Sequence, residues 1–132
     1  GSVLVPTCGP GQELPPLAKL LGAERPIVGV DLAPGMVEIA QQRAAECGPN
    51  VSAVIGDCAE PPPGPHAALL SVFGLQQLPD PAAALAAWVC TLAPGGVAVV
   101  VFWPAGAAVE EEGPWAHWGA LLEGRLRAPP SR

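Results

Sequence analysis

The chain has 132 residues, the size of one domain, and its 6 Lys and Arg against 12 Asp and Glu leave a net charge of −6. That acidity argues against a phosphate-neutralising nucleic-acid surface or a polybasic membrane anchor, so the expected partner is a small molecule or another protein. Half of the residues are apolar and only 14% are charged, a balance that builds a buried core and excludes intrinsic disorder.

Cys8, Cys47, Cys58 and Cys90 show no C-x-x-C spacing, and His66 and His117 are the only histidines. No metal site is therefore expected; free thiols and a cytoplasmic setting are. No apolar stretch approaches the ~20 residues of a membrane span. Gly1-Ser2 read as a cloning remnant on a single domain 1–132, with a core over 3–103 and a C-terminal helix and tail over 104–132.

Val3-Leu4-Val5-Pro6 is an apolar run that breaks into Thr7-Cys8-Gly9-Pro10-Gly11, followed by Leu14, Leu17, Leu20 and Leu21 at helical spacing. This predicts strand, tight loop, helix. After Gly22 and Pro26, Ile27-Val28-Gly29-Val30 is a second strand closing on Asp31. Pro34 opens a helix with a stripe of Met36, Ile39, Ala40 and Ala44, and Gly48-Pro49 stop it. Val51 to Ile55 is a third strand, leading to Gly56-Asp57.

A proline-rich loop, 61–65, precedes a fourth apolar strand from Ala67 to Phe73. Asp80-Pro81 is an N-cap signal for a helix that places Leu85, Trp88, Val89 and Leu92 on one side. Pro94-Gly95-Gly96 turns the chain into a fifth strand, 97–103. Beyond it, Trp115, Trp118, Leu121 and Leu122, after three glutamates, predict an amphipathic helix over 109–124. Strands alternating with helices imply an α/β fold with a mostly parallel sheet covered on both faces, although no helical crossover is evident between strands three and four.

In such a sheet a ligand sits beyond the carboxyl ends of the strands where chain order reverses, here between strands one and four. Gly9-Pro10-Gly11 opens a helix there, either as a plain βα turn or as a bend that a ligand approaches closely. Asp31 ends strand two, where a carboxylate accepts from both ribose hydroxyls or caps the following helix. Asp57 ends strand three, facing an adenine amino group or only solvent. Residues 71–77 bring a small side chain and two amides to the same mouth, as contacts or as packing. Cys8, beside a helix start, reads better as small-residue packing than as a nucleophile.

Thr7-Cys8-Gly9-Pro10-Gly11, Val28-Gly29-Val30-Asp31, Gly56-Asp57-Cys58-Ala59, Phe73 to Asp80 and Leu92 to Gly96 together resemble the ordered motifs of class I S-adenosylmethionine-dependent methyltransferases of the small-molecule kind. The resemblance implies a Rossmann-like three-layer sandwich with strand order 3-2-1-4-5, lacking the C-terminal strands of that family's full fold. It implies S-adenosyl-L-methionine as cofactor, with Thr7, Cys8, Gly9, Pro10 and Gly11 at the methionine part and Asp31 on the ribose. It further implies Leu32 and Met36 flanking the adenine, Asp57 and Cys58 at its edge, and Phe73 and Leu75 near the methyl group. Val5 stands where the family carries an acid, and Thr7 replaces the first loop glycine.

The expected activity is methyl transfer to a small molecule or a protein side chain. A non-catalytic interaction module is the alternative, and a nicotinamide-binding fold ranks third because the bend lacks that fingerprint's final small residue. Self-association is expected through the apolar edge of strand 97–103 or through the 109–124 helix.

Overall fold

The computed structural model describes residues 1–103, of which Gly1–Phe102 form one compact unit. The helix expected over 109–124 lies outside the described residues. Five strands form one sheet: β1 Ser2–Pro6, β2 Ile27–Asp31, β3 Val51–Ile55, β4 His66–Val72 and β5 Leu92–Val101. Their order is β3-β2-β1-β4-β5 and every pairing is parallel. Helices α1 (Leu14–Leu21), α2 (Pro34–Cys47) and α3 (Pro81–Cys90) connect them, with a short 3-10 turn at Leu75–Gln77.

The alternation of strand side chains divides the core in two. Val3, Val5, Ile27, Val51 and Ala53 meet Leu14, Val37, Ala40 and Ala44 on the face covered by α1 and α2. Leu4, Val30 and Leu69 meet Leu75, Ala84 and Trp88 on the face covered by α3. Trp88 is fully buried and its indole N–H donates to the Cys58 carbonyl at 2.6 Å, fastening α3 to the connection between β3 and β4. That connection, 56–65, contains no helix, as the sequence implied.

The helical faces differ from the expected ones. On α2 the buried stripe is Val37, Ala40 and Ala44, while Met36 and Ile39 are exposed. Met36 instead points to the rim described below. On α1 only Leu14 is fully buried, Leu17 packs at the edge of the core, and Leu20 is 80% exposed. Leu92 belongs to β5 rather than to α3, yet it packs with Leu85 against the Trp88 core as expected, whereas Val89 is exposed. β5 begins earlier than expected, because Leu92 already pairs with His66; the chain then makes an excursion through Pro94-Gly95-Gly96 before Val97 pairs with Ala68. Gly95, at φ +78°, permits that excursion. β4 ends one residue sooner than expected: Phe73 still donates its N–H to the Val101 carbonyl at 2.7 Å, but its φ of +55° turns the chain out of the strand.

Candidate functional site

Four strands deliver their carboxyl ends to one rim, and a cavity of about 720 Å³ opens there, within the usual range for small-molecule sites. β1 supplies Thr7, Cys8, Gly9 and Pro10, and β2 supplies Asp31, Leu32 and, one helical turn on, Met36. β3 contributes Asp57 and Cys58; β4 contributes Val72, Phe73 and Gly74. The chain order reverses between β1 and β4, so the hollow is the crevice of an open α/β sheet.

The glycine bend is held from two sides. Gly9 N–H donates to Asp31 Oδ2 at 2.8 Å, and Arg43 on α2 donates to the Pro10 carbonyl. Gly9, at φ +50°, has open space where a Cβ would stand, so backbone is bare on the cavity side. Asp31 Oδ1 accepts from Ala33 N–H at 3.0 Å. Each Asp31 oxygen thus uses one acceptor position on the protein and keeps another for a ligand hydroxyl. Ala33, not Asp31, occupies the N-cap of α2, and no side chain caps that helix. Asp57 Oδ1 accepts from Ala59 N–H at 2.8 Å, which fixes the carboxylate at the end of β3.

Gly11 and Leu75 do not line the cavity. A Cβ on Gly11 would stand 2.9 Å from Leu14 and 3.0 Å from Ala40, so this glycine serves the packing of the bend against α1 and α2. Leu75 is buried in the α3 core because the 3-10 turn directs it inward. Gln12, Glu13, Ala33, Gln77 and Leu78 also line the hollow. Glu13 went unassigned because nothing in its spacing marks it; its place directly after the bend was the only signal.

Burial pushes the Cys8 thiol up to about 12, helped by the nearby Asp31 carboxylate, the neighbouring Cys58 thiol and the Glu13 carboxylate. Cys58 is also raised, chiefly by burial, against the opposing effect of the Thr7 N–H, which donates to its sulfur at 3.2 Å. Both thiols are therefore protonated wall groups rather than nucleophiles. Among the described residues no group of His, Cys, Asp and Glu could hold a metal ion, and no helix is long and apolar enough to cross a membrane.

A parallel α/β rim with a glycine bend and acids at the ends of two neighbouring strands defines a nucleoside-binding domain of the Rossmann-like class. The sequence matches the methyltransferase domain family over residues 3–96, and the chain belongs to that family. It is 39% identical over 93 residues to the aklanonic acid methyltransferase DauC of a Streptomyces strain, covering 67% of this chain and 42% of that protein. A SAM-dependent methyltransferase from Aquifex aeolicus has the same fold, with a TM-score of 0.71 and 22% identity over 93% of this chain and 70% of the other. The [4+2]-cyclase SpnF superposes with a TM-score of 0.70 at 24% identity, over 85% of this chain and 43% of its own. The chain spans less than half the length of the curated relative that it matches.

S-adenosyl-L-methionine is the cofactor of this family, and the residues present fit it. Asp31 retains acceptor positions for two vicinal hydroxyls, and Leu32 and Met36 are 65% and 45% exposed at the mouth, ready to bury against a flat base. The bare bend lies beside them, at the start of α1.

Proposed function

We propose that this domain transfers a methyl group from S-adenosyl-L-methionine to a nucleophilic atom of a small organic molecule. The observation that carries the reading is Asp31, whose carboxylate is aimed at the cavity while bonded to Gly9 of the bend. A ligand that replaces water there gains hydrogen bonds to a charged acceptor, the stronger kind. A small-molecule acceptor is supported by the match to a methyltransferase of aklanonic acid and by the wall beside β4, where Val72, Phe73 and Leu78 are apolar.

When bound, the cofactor supplies a methyl group on a sulfonium, which needs only an aligned nucleophile. This chain's residues contribute position: Asp31 and Asp57 fix the nucleoside, the bend fixes the methionine arm, and the Val72–Phe73 wall excludes water from the acceptor's side.

Calorimetric titration with S-adenosyl-L-methionine and S-adenosylhomocysteine tests the reading. Binding is expected for both, and Asp31→Asn should weaken each at least about tenfold, the loss of a charge-assisted hydrogen bond pair. Val5 and Thr7, where the family has an acid and a glycine, favour a second reading, a non-catalytic interaction module. No heat and no thermal shift at millimolar ligand would support that reading over methyl transfer.

A further inference from the structure

The three carboxylates lining the cavity are not equivalent. Asp31 and Asp57 stand at the ends of β2 and β3, and each accepts from backbone N–H groups. Glu13 stands on the other side, after β1 at the start of α1, and its side chain does not cap that helix. Its backbone carbonyl accepts from Leu17 N–H at 3.1 Å, but no hydrogen bond or ion pair engages its carboxylate among the described residues, although the residue is half-buried. Among the described residues it is also the only charged side chain that β1, the start of α1 and β4 bring to the cavity wall, which there includes Pro10, Gln12, Phe73 and Leu78. The carboxylate raises the Cys8 thiol, so its field reaches the floor of the bend. A half-buried carboxylate with no side-chain partner is open to a cation that enters the cavity.

Resting on the cofactor reading above, we propose that Glu13 is a specificity-determining residue that selects the sulfonium cofactor over its thioether product. With the nucleoside held at β2 and β3, the methionine arm would lie towards β1 and β4, the part of the rim to which Glu13 belongs. Before transfer the arm carries a sulfonium, an ammonium and a carboxylate, for a net charge of +1. After transfer the sulfur is neutral and the net charge is zero. One fixed carboxylate near that arm therefore attracts the substrate form more than the product form, and the difference is electrostatic in origin. The usual family acid at position 5 is absent here, and Glu13 brings a carboxylate to the same loop from its other end.

The test is a set of titrations on the whole chain, wild type and Glu13→Gln, with S-adenosyl-L-methionine, S-adenosylhomocysteine and 5′-methylthioadenosine, at low and high salt. The isosteric variant is expected to keep the wild-type melting temperature. It should lose roughly tenfold in affinity for the sulfonium ligand and less than about twofold for the two neutral thioethers, as a charge–charge effect in a partly screened site requires. Added salt should narrow the wild-type preference, and Glu13→Asp should restore part of it. Equal losses for S-adenosyl-L-methionine and S-adenosylhomocysteine would place Glu13 on the ammonium that those two share and overturn the proposal; unchanged affinities would overturn it too. If wild type binds none of the three, the cofactor reading itself fails, an outcome distinct from normal binding without charge preference.

Discussion

Thr7 and Gly74 show how two residues at the ends of β1 and β4 depend on each other. Thr7 adopts φ +58°, a left-handed conformation that costs a β-branched residue about 1–2 kcal/mol. Its hydroxyl donates to the Pro6 carbonyl and therefore accepts from Ser71 Oγ at 2.9 Å, and Ser71 is fully buried. The Thr7 side chain fills the space above Gly74, where an added Cβ would fall 1.8 Å from Thr7 Oγ1. Gly74→Ala is thus expected to destabilise by about 3 kcal/mol or more, an overpacking that cannot relax. Thr7→Gly alone should be within about 1 kcal/mol of wild type, because relief of backbone strain offsets the unpaired Ser71 hydroxyl. In the double variant most of the Gly74→Ala loss should return, and urea denaturation of the four proteins measures the coupling. Additive losses would show that the two positions are independent.

The raised thiols give a pH dependence of definite sign. A folded pKa above the unfolded one means that the native state keeps its protons where the unfolded chain has lost them. Cys8 and Cys58 therefore stabilise fully below about pH 9; the Cys8 contribution is lost as pH rises towards about 12, and that of Cys58 falls in the same direction above pH 9. The urea midpoint should fall across this alkaline range, and Cys8→Ala should flatten the fall. At pH 8 the exposed Cys90 should react with an alkylating reagent well before Cys8 and Cys58.

At the level of elements, order was legible and helical phase was not. Val3 to Val5, Ile27 to Val30 and Val51 to Ile55 read as strands because a sheet covered by helices makes its strands apolar on both faces. Met36-Ile39-Ala40-Ala44 and Val37-Ala40-Ala44 both satisfy helical spacing on α2, and only tertiary packing chooses between them. The choice falls on Val37 because Met36 stands at the cavity mouth. Asp31 and Asp57 were legible because strand ends fix where a carboxylate goes, whereas Leu75 was misplaced because a 3-10 turn reverses its direction. The sequence also gave no sign of the Trp88 bond to Cys58. Trp88→Phe keeps the apolar ring but leaves the Cys58 carbonyl unpaired, so a loss of about 1–3 kcal/mol is expected, and Trp88→Ala should cost about 3–5. Thermal melts followed by circular dichroism check both; equal losses for Phe and Ala would mean that the hydrogen bond, not the packing, carries the fastening.

For the whole molecule, the consequential feature is the end of the sheet. Val97 shares a face with Ala68 and Val3, the face that α1 and α2 cover over β1 to β3. Val97, Val99 and Val101 alternate along β5 at 57%, 50% and 41% exposure. A twisted parallel sheet that ends on an apolar strand offers both unpaired backbone groups and a dry face to another chain. With a net charge of only −6 over 132 residues, long-range repulsion opposes such pairing weakly at physiological salt. The 132-residue chain is therefore expected to self-associate reversibly as concentration rises in sedimentation velocity. Val99→Lys places a charge in the middle of that face, where pairing would bury it, and should shift the protein to monomer without altering its circular dichroism. Cofactor affinity should not change, because the cavity is lined from β1 to β4 and their loops and does not include β5. A wild-type protein that stays monomeric at high concentration would show that this edge is not a self-association surface.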